Sequence, residues 1–397
     1  MISLEEAYRI IDSAMSGVRL PCRVLPACEA MGQTLSSDQY SQLDLPPFDK
    51  SAMDGYAIKL DEKSTRYRLL DTVAAGHVCD ISLQPGTAVK VMTGAPVPKG
   101  TDRVVMIEHV SEDDGWIQIL EEHNNTNICR QAEDVHIGDR IFEAGTRLNA
   151  MDVANLISCG ITHVESFCPM RVAILSTGDE IVDHPAQLRP GKIINSNGPM
   201  LKGLAAYHGL DVTTSRSVAD DLSQISQSIR DALKEADCVM ITGGVSVGDC
   251  DWVPQAIEQA GGEIRFSKLA VKPGKPTVFA TAGTKAVFGL PGNPVSVFLM
   301  FHLFVLYVQM MLTGGQPALR TILLPLAHSY QRRRAERMEF RPCRLTSEGT
   351  LSRIEYHGSA HLHAISNADG VFIVPAGICE LDKGQQAEFL PFGRSMR

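Results

Sequence analysis

The spacing of apolar positions changes its rhythm three times along this chain and so divides it into four textures. Behind Ser3 and Glu6, a capping-box pair, Ala7, Ile10, Ile11 and Ala14 recur at helical spacing, which predicts a helix at the start. The text reads as mainly helical to about residue 44 and again over 149–160, with Asn149 as cap and Gly160 as stop. Between these, from about 45 to 145, runs such as Ala88-Val89-Lys90-Val91-Met92, Arg103-Val104-Val105-Met106-Ile107 and Trp116-Ile117-Gln118-Ile119-Leu120 are strand-like and punctuated by Pro, Gly, Asn and Asp. A β domain inserted into a helical one accounts for this order.

From about residue 169 strand and helix patterns alternate. Val172-Ala173-Ile174-Leu175, Cys238-Val239-Met240-Ile241, Thr277-Val278-Phe279-Ala280 and Ala286–Leu290 read as buried strands. Helices fall at about 199–208, stopped by Gly209, and at 222–236, capped by Asp221. Such alternation implies an α/β domain, a parallel sheet covered on both faces. The last 80 or so residues return to β texture and suggest a small barrel or sandwich. Val295 to Leu312 runs 18 residues without a charge, near the length that crosses a membrane. His302 and Gln309 interrupt it and no basic cluster flanks it, so a helix buried between the sheet and another domain or subunit is expected.

Composition narrows the function classes. A 397-residue chain exceeds one ordinary core, so about two to four domains are expected. The net charge of −9 argues against a nucleic-acid-binding surface and requires that any anion be met by local Lys and Arg. Ten scattered cysteines without a C-x-x-C pair read as reduced thiols of a cytoplasmic protein. The acidic start, Met1-Ile2-Ser3-Leu4-Glu5-Glu6, does not resemble a signal peptide.

Candidate chemistry gathers in loops that follow the predicted strands, where open parallel sheets bind ligands. Thr242-Gly243-Gly244-Val245-Ser246-Val247-Gly248-Asp249-Cys250-Asp251 has the glycines of an anion-binding nest and acids of the kind Mg²⁺ prefers. A tight turn whose acids cap the next helix is the plainer reading of that stretch. Pro291-Gly292-Asn293-Pro294-Val295-Ser296 looks like a helix start that leaves the N–H groups of Val295, Ser296 and Val297 free for an oxyanion, though an ordinary capped helix also suits it. Lys268, Lys272 and Lys275 stand within eight residues around Pro273-Gly274 and can neutralise a phosphate or another tetrahedral oxyanion. Glu180, Asp220, Asp249 and Asp251 fall just past strands or at helix starts. Acids beside lysines suit a Mg²⁺-dependent phosphate reaction; capping could explain Asp220, but explains Glu180 and Asp251 poorly. Two more strings, Pro46-Pro47-Phe48-Asp49-Lys50-Ser51-Ala52-Met53-Asp54-Gly55-Tyr56-Ala57 and Val91-Met92-Thr93-Gly94-Ala95-Pro96-Val97-Pro98, read as structural loops, Asp54-Gly55 being a turn signal.

Taken together, PPFDKSAMDGYA, VMTGAPVP, RVAILSTGDEIV, PGKIINSNGPML, ITGGVSVGDCD, KLAVKPGKP and GLPGNPVS resemble the molybdopterin molybdenumtransferase family, to which the C-terminal domain of gephyrin is related. The resemblance runs from about residue 3 to the end. It implies a multi-domain α/β protein with a molybdopterin-binding-type parallel sheet domain (169–317), an elongated helical domain (1–44 with 138–168), an inserted β-rich domain (45–137) and a small C-terminal β-barrel domain (318–397). It also implies a Mg²⁺-dependent homodimer that takes adenylylated molybdopterin and molybdate, releases AMP and leaves molybdenum on the dithiolene. The cleft would join the sheet domain of one subunit to the inserted domain of the other, with the adenylyltransferase and apo-molybdoenzymes as further partners. By motif, Asp54 and Thr93 would face that cleft, and Glu180, Asp220 and Asp251 would serve nucleotide and metal. Gly243 and Gly244 would bind substrate, while Lys268, Lys272 and Lys275 would hold phosphate or molybdate, with Ser246 nearby. Pro291, Pro294 and Ser296 would shape the oxyanion pocket, and Ser359 would come from the C-terminal domain. Two departures stand out. Glu339-Phe340-Arg341-Pro342-Cys343-Arg344 has Pro342 where the family often has the arginine linked to molybdate, which leaves Arg341 and Arg344 to take its place. Ala132-Glu133-Asp134 replaces Gly-Glu-Asp. A molybdopterin adenylyltransferase, a tungsten inserter and a non-enzymatic scaffold are the competing readings.

Overall fold

The strand-like text of residues 45–145 becomes a six-stranded mixed sheet. The computed structural model describes residues 1–60, 64–121, 123–245, 252–315, 321–355, 358 and 362–392. They form two units, Val24–Ser166 and Met1–Arg23 together with Phe167–Arg397. In the first, the strands lie in the order Arg103–Met106, Gly55–Ile58, Thr87–Val91, Arg66–Val73, Trp116–Ile119, Val110–Asp113. The Asp54-Gly55 pair does not end in a loop as expected. Gly55–Ile58 is an inner strand buried at all four positions, antiparallel to both neighbours. A Cβ on Gly55 would run into the Val105 carbonyl, so glycine serves strand approach here rather than a turn. Alternation sends Ala57 to one core, with Val89 and Val104, and Tyr56 and Ile58 to the other, with Tyr67 and Val105.

The helix expected over residues 1–44 is present as Leu4–Ala14, with the Ser3 hydroxyl accepting from the Glu6 N–H at 3.1 Å. Beyond it the chain turns through left-handed Gly17 and Gly32, and Pro21 and Pro26 forbid continuous helix. Ala150–Ser158 is helical as read, and Asn149 and Asp152 complete a reciprocal capping box. Around it Ala27, Leu35, Leu148, Leu156 and Val164 form a separate small core.

In the second unit a six-stranded sheet runs Asp211–Val218, Arg171–Thr177, Cys238–Thr242, Lys285–Leu290, Val278–Ala282, Glu263–Phe266. The first four strands are parallel, as the alternation of strand and helix requires. The last two pairings are antiparallel, so Val278–Ala282 runs against the other five strands, unlike the purely parallel sheet expected. Only Gly283-Thr284 separates Val278–Ala282 from Lys285–Leu290, too short for a crossover, so the chain makes a hairpin with Gly283 at φ 60°. Asn197–Tyr207, Leu222–Glu235 and Val253–Gln259 are the covering helices, and Asp221 caps the second by accepting from the Gln224 N–H.

Pro294–Leu312 is one helix of 19 residues, long and apolar enough to cross a membrane, but 72% of its apolar window is buried within the protein. A π-helical segment, Phe301–Val305, interrupts its α-helical pitch. Burial lowers the pKa of His302, whose Nδ1 lies 2.9 Å from the Phe298 carbonyl. A second β layer, Val271–Lys272, Met338–Leu345, Gly370–Val374, Gln386–Pro391 and Ile322–Pro325, packs over the same core.

Ala132, where the resembling family has glycine, is held at φ 60° with its N–H on the Pro46 carbonyl at 3.0 Å. The left-handed region costs an L-residue roughly 1–2 kcal/mol, against about 0.5–1 kcal/mol of extra chain entropy for glycine. Ala132→Gly is therefore expected to stabilise the protein by up to about 1 kcal/mol, read as a higher urea midpoint; a lower midpoint would show that the Ala132 methyl group's packing outweighs the strain.

Candidate functional site

The parallel strands of the second unit place their chain order 2-1-3-4 across the sheet, because Arg171–Thr177 has its successor on one side and Cys238–Thr242 on the other. Connections leave these two strands in opposite directions and open a crevice at their carboxyl ends. Five segments meet there. The Thr177 hydroxyl donates to Asp220 at 3.2 Å, and the Asp220 N–H donates to the Asp179 carboxylate at 3.2 Å. Asn197 donates from Nδ2 to the Gly292 carbonyl at 2.7 Å, tying the Asn195–Asn197 turn to the loop before Pro294. Gly243 donates to the Leu290 carbonyl at 3.2 Å, and its Cα lies 3.7 Å from where a Cβ on Gly292 would sit. A Cβ on Gly243 itself, at φ 94°, would strike the Thr177 carbonyl. Glycine there is a condition for the two strand ends to close together.

Two polar atoms at this edge stand out. Thr242 Oγ1 and Asn197 Oδ1 are buried and have no hydrogen-bond partner among the described residues. Leaving a polar atom so costs about 1–3 kcal/mol, which a bound polar ligand would recover. Glu180 is exposed and folds its carboxylate over Gly178, whose φ of 143° and missing Cβ leave the room. Lys192 Nζ donates to the Asp179 carbonyl at 2.5 Å, closing the same turn. Glu180, Asp220, Gly243 and Gly244 are thus brought to one edge. Ser246, Asp249, Asp251 and Ser359 lie outside the described residues. The donors present are carboxylate, hydroxyl and carbonyl oxygens, the set that suits Mg²⁺.

Pro291 and Ser296 are buried and Pro294 opens the helix at its first position, as expected. The free N–H groups expected beyond it are not all free. Ser296 and Val297 donate to the Asn293 carbonyl at 3.0 and 3.1 Å, because that carbonyl lies where the first turn needs an acceptor.

The lysine loop belongs to the second β layer. Val271-Lys272 pairs in parallel with Met338-Glu339, and the Leu269 N–H donates to the Lys275 carbonyl at 2.8 Å. Lys268, Lys272 and Lys275 are all exposed. Lys272 Nζ lies 3.1 Å from the buried carboxylate of Glu339, which Arg332 and Arg341 also approach, at 3.4 and 3.6 Å. Arg341 sits over the Tyr330 ring, and Arg344 donates to the Asn367 carbonyl at 3.0 Å, so neither replacement arginine is idle. Beside Lys272 a cavity of about 250 Å³ is lined by Arg332, Arg333, Arg334, Glu336 and Arg337. Sequence reading overlooked this arginine run, although Gln331-Arg332-Arg333-Arg334 is a visible charge cluster.

In the first unit the two strings read as loops run side by side. Gly94 donates to the Ser51 carbonyl at 2.8 Å and Ser51 to the Ala95 carbonyl at 2.9 Å. Asp54 and Thr93 meet at their end: the Thr93 N–H and hydroxyl both donate to one Asp54 oxygen, at 2.6 and 2.7 Å. These bonds, the amide's first, hold the Asp54 carboxyl below its ordinary value.

Residues 2–160 match the family described as MoeA N-terminal region (domain I and II), 173–314 the probable molybdopterin binding domain, and 327–392 the MoeA C-terminal region (domain IV). A molybdopterin molybdenumtransferase of Staphylococcus epidermidis is 33% identical over 360 residues, 88% of this chain and 86% of that one. A protein of the same name from Staphylococcus aureus is 35% identical over 312 residues, 77% and 74% of the two chains. The crystal structure of the molybdopterin biosynthesis moeA protein from Pyrococcus horikoshii OT3 superposes with a TM-score of 0.86 at 28% identity, over 99% of this chain and 100% of that one.

Because its folded pKa is depressed, Asp54 contributes stability that is present at neutral pH and is lost only as pH falls through that lowered value. Carboxyl-carbon NMR is expected to place the Asp54 midpoint below the usual value of about 3.9. Thr93→Val, which removes the hydroxyl bond and keeps the amide one, should move the midpoint part of the way back up. An unchanged midpoint would mean that the hydroxyl does not hold the charge.

Proposed function

The chain belongs to the molybdopterin molybdenumtransferase family, and from that premise we propose that it moves molybdenum from molybdate onto adenylylated molybdopterin, with Mg²⁺, and releases AMP. It is a transferase of molybdenum-cofactor biosynthesis. The observation that carries the finer reading is the crevice at the ends of Arg171–Thr177 and Cys238–Thr242. Its glycines admit a ligand close to the backbone, its acids gather on one rim, and Thr242 and Asn197 present buried oxygens without partners among the described residues.

In this reading the nucleotide phosphates lie against Gly243 and Gly244, whose missing Cβ atoms let a ligand approach the backbone. Glu180 and Asp220, with Asp251, would hold Mg²⁺, whose charge would offset the negative charge that develops as the phosphate–AMP linkage breaks. The Thr177 hydroxyl and the Asp179 carboxylate hold Asp220 at both its side chain and its backbone, so its oxygens are oriented before any ligand arrives. Molybdate, a dianionic substrate, would be drawn to the cavity beside Lys272, where five cations face one glutamate in a protein of net charge −9. Arg332, Arg333, Arg334 and Arg337 there would do the work of the arginine that Pro342 replaces. Family resemblance supports a cytoplasmic homodimer in which Asp54 and Thr93 of one subunit face the crevice of the other. The same resemblance makes the adenylyltransferase that supplies the substrate, and the apo-enzymes that take the product, transient partners.

The test separates the two halves. Asp220→Asn should keep the fold and abolish Mg²⁺-dependent AMP release from adenylylated molybdopterin, while molybdate binding stays intact. Lys272→Ala should weaken molybdate by about ten- to a hundred-fold, the value of a lost charge-assisted contact of about 1.5–3 kcal/mol, and leave nucleotide affinity near wild type. Wild-type turnover in the first variant would remove Asp220 from the metal site. Wild-type molybdate affinity in the second would move the oxyanion elsewhere.

A further inference from the structure

A second cavity lies far along the sequence from these loops, in the β sheet of Val24–Ser166. It holds about 740 Å³ and is lined in part by Tyr67, Arg103, His109, Glu121, His123 and Asn125. Three of its lining residues could serve as metal ligands and meet at a point. His109 Nδ1 lies 3.1 Å from Glu121 Oε2, His123 Nε2 lies 3.6 Å from the same oxygen, and one ligand atom from each of the three residues falls within 4.8 Å of the other two. Ligands about 2.0–2.1 Å from a tetrahedral Zn²⁺ stand about 3.3 Å apart, and the two histidine–glutamate separations bracket that spacing.

The backbone produces this spacing. Val110–Asp113 and Trp116–Ile119 form an antiparallel hairpin with Val110 opposite Ile119, and the Leu120 N–H donates to the His109 carbonyl at 2.8 Å. That register sets His109 beside Glu121 across twelve positions of sequence. Arg103 donates to the His123 carbonyl at 2.8 Å, and the Val104 N–H donates to the Thr126 carbonyl at 2.8 Å, so the segment carrying His123 is anchored to the neighbouring strand. The two imidazole rings lie 4.4 Å apart at 57°, as two ligands of one ion can.

We propose that His109, Glu121 and His123 form a site for a borderline divalent transition metal of the Zn²⁺ class, with its remaining coordination position open to the cavity. Two imidazoles and one carboxylate are the donor set of open zinc sites, and nitrogen donors select against Mg²⁺, so this site is separate from the oxygen-rich crevice. Arg103 and Asn125 on the cavity wall suit a small anionic ligand in the open position.

The test uses the full-length protein without an affinity tag, stripped with a chelator and titrated with Zn²⁺ by calorimetry and with Co²⁺ by absorbance. One equivalent per chain is expected, with a Co²⁺ spectrum free of thiolate charge transfer, a needed check in a chain with ten cysteines. His109→Gln with His123→Gln, and separately Glu121→Gln, should weaken Zn²⁺ by about tenfold or more and leave the circular dichroism and AMP release as in wild type. Zn²⁺ binding unchanged in the double variant, a thiolate band in the Co²⁺ spectrum, or no binding by wild type would overturn the site and leave a surface histidine–glutamate ion pair.

Discussion

Burial of the Pro294–Leu312 helix is the constraint on which the second unit depends. Nineteen residues without a charge cannot face water on any broad side, and every neighbouring layer contributes to covering them. Leu4, Ala7 and Ile11 of the first helix, Met240 and Phe288 of the sheet, and Phe340 and Ile373 of the second β layer share one continuous core with it. Each fully buried side chain of this kind is worth roughly 1.5–3 kcal/mol, so the interfaces among these elements are core and not casual contact. The consequence reaches the crevice directly. With the body of the helix fixed, its start is fixed, and Gly292 is delivered to the carboxyl edge of the sheet where Asn197 and Gly243 meet it.

The crevice is built by backbone closeness and the basic cavity by charge. At the sheet edge the strand ends approach so nearly that a single methyl group on Gly243 would separate them, and Thr242 Oγ1 and Asn197 Oδ1 are enclosed there without partners among the described residues. At the second β layer, Glu339 is buried among Lys272, Arg332 and Arg341, and it organises cations that would otherwise repel one another. A buried acid with three cationic neighbours leaves a local positive excess in a protein that is negative as a whole. Oxygen donors and cationic nitrogen donors are thereby kept on different elements of one unit, as the proposed reaction, with a hard cation and an oxyanion, would require.

Strand register repeats the same service in the first unit. It joins Asp54 to Thr93, thirty-nine positions on, and His109 to Glu121, twelve positions on. Neither pair is suggested by spacing, since a strand places neighbours according to where the hairpin closes and not by a fixed period.

Periodicity by itself determined much of this protein. The opening helix, the Asn149 and Asp221 caps, the strands Arg171–Thr177, Cys238–Thr242, Val278–Ala282 and Lys285–Leu290, the strands Thr87–Val91, Arg103–Met106 and Trp116–Ile119, and the buried long helix all follow from apolar spacing and end signals that act over one or two turns. The glycine and acid loops were legible too, because a parallel sheet always presents the loops after its strands on one edge. Long motif strings carried the family. What they left undecided is non-local. Gly55 signalled a turn and became an inner strand because the Val105 carbonyl, fifty residues away, leaves no room for a Cβ. Val278–Ala282 runs against the rest of the second unit's sheet because a two-residue link to Lys285–Leu290 cannot cross over. Arg332, Arg333, Arg334 and Arg337 became the wall of a cavity only when Val271-Lys272 paired with Met338-Glu339. The three putting their ligand atoms together in the first unit, His109, Glu121 and His123, did so through a hairpin register. Local signals are set by sterics and hydrogen bonds within a few residues, whereas a site is a meeting of distant chain segments, and only packing decides which of them meet.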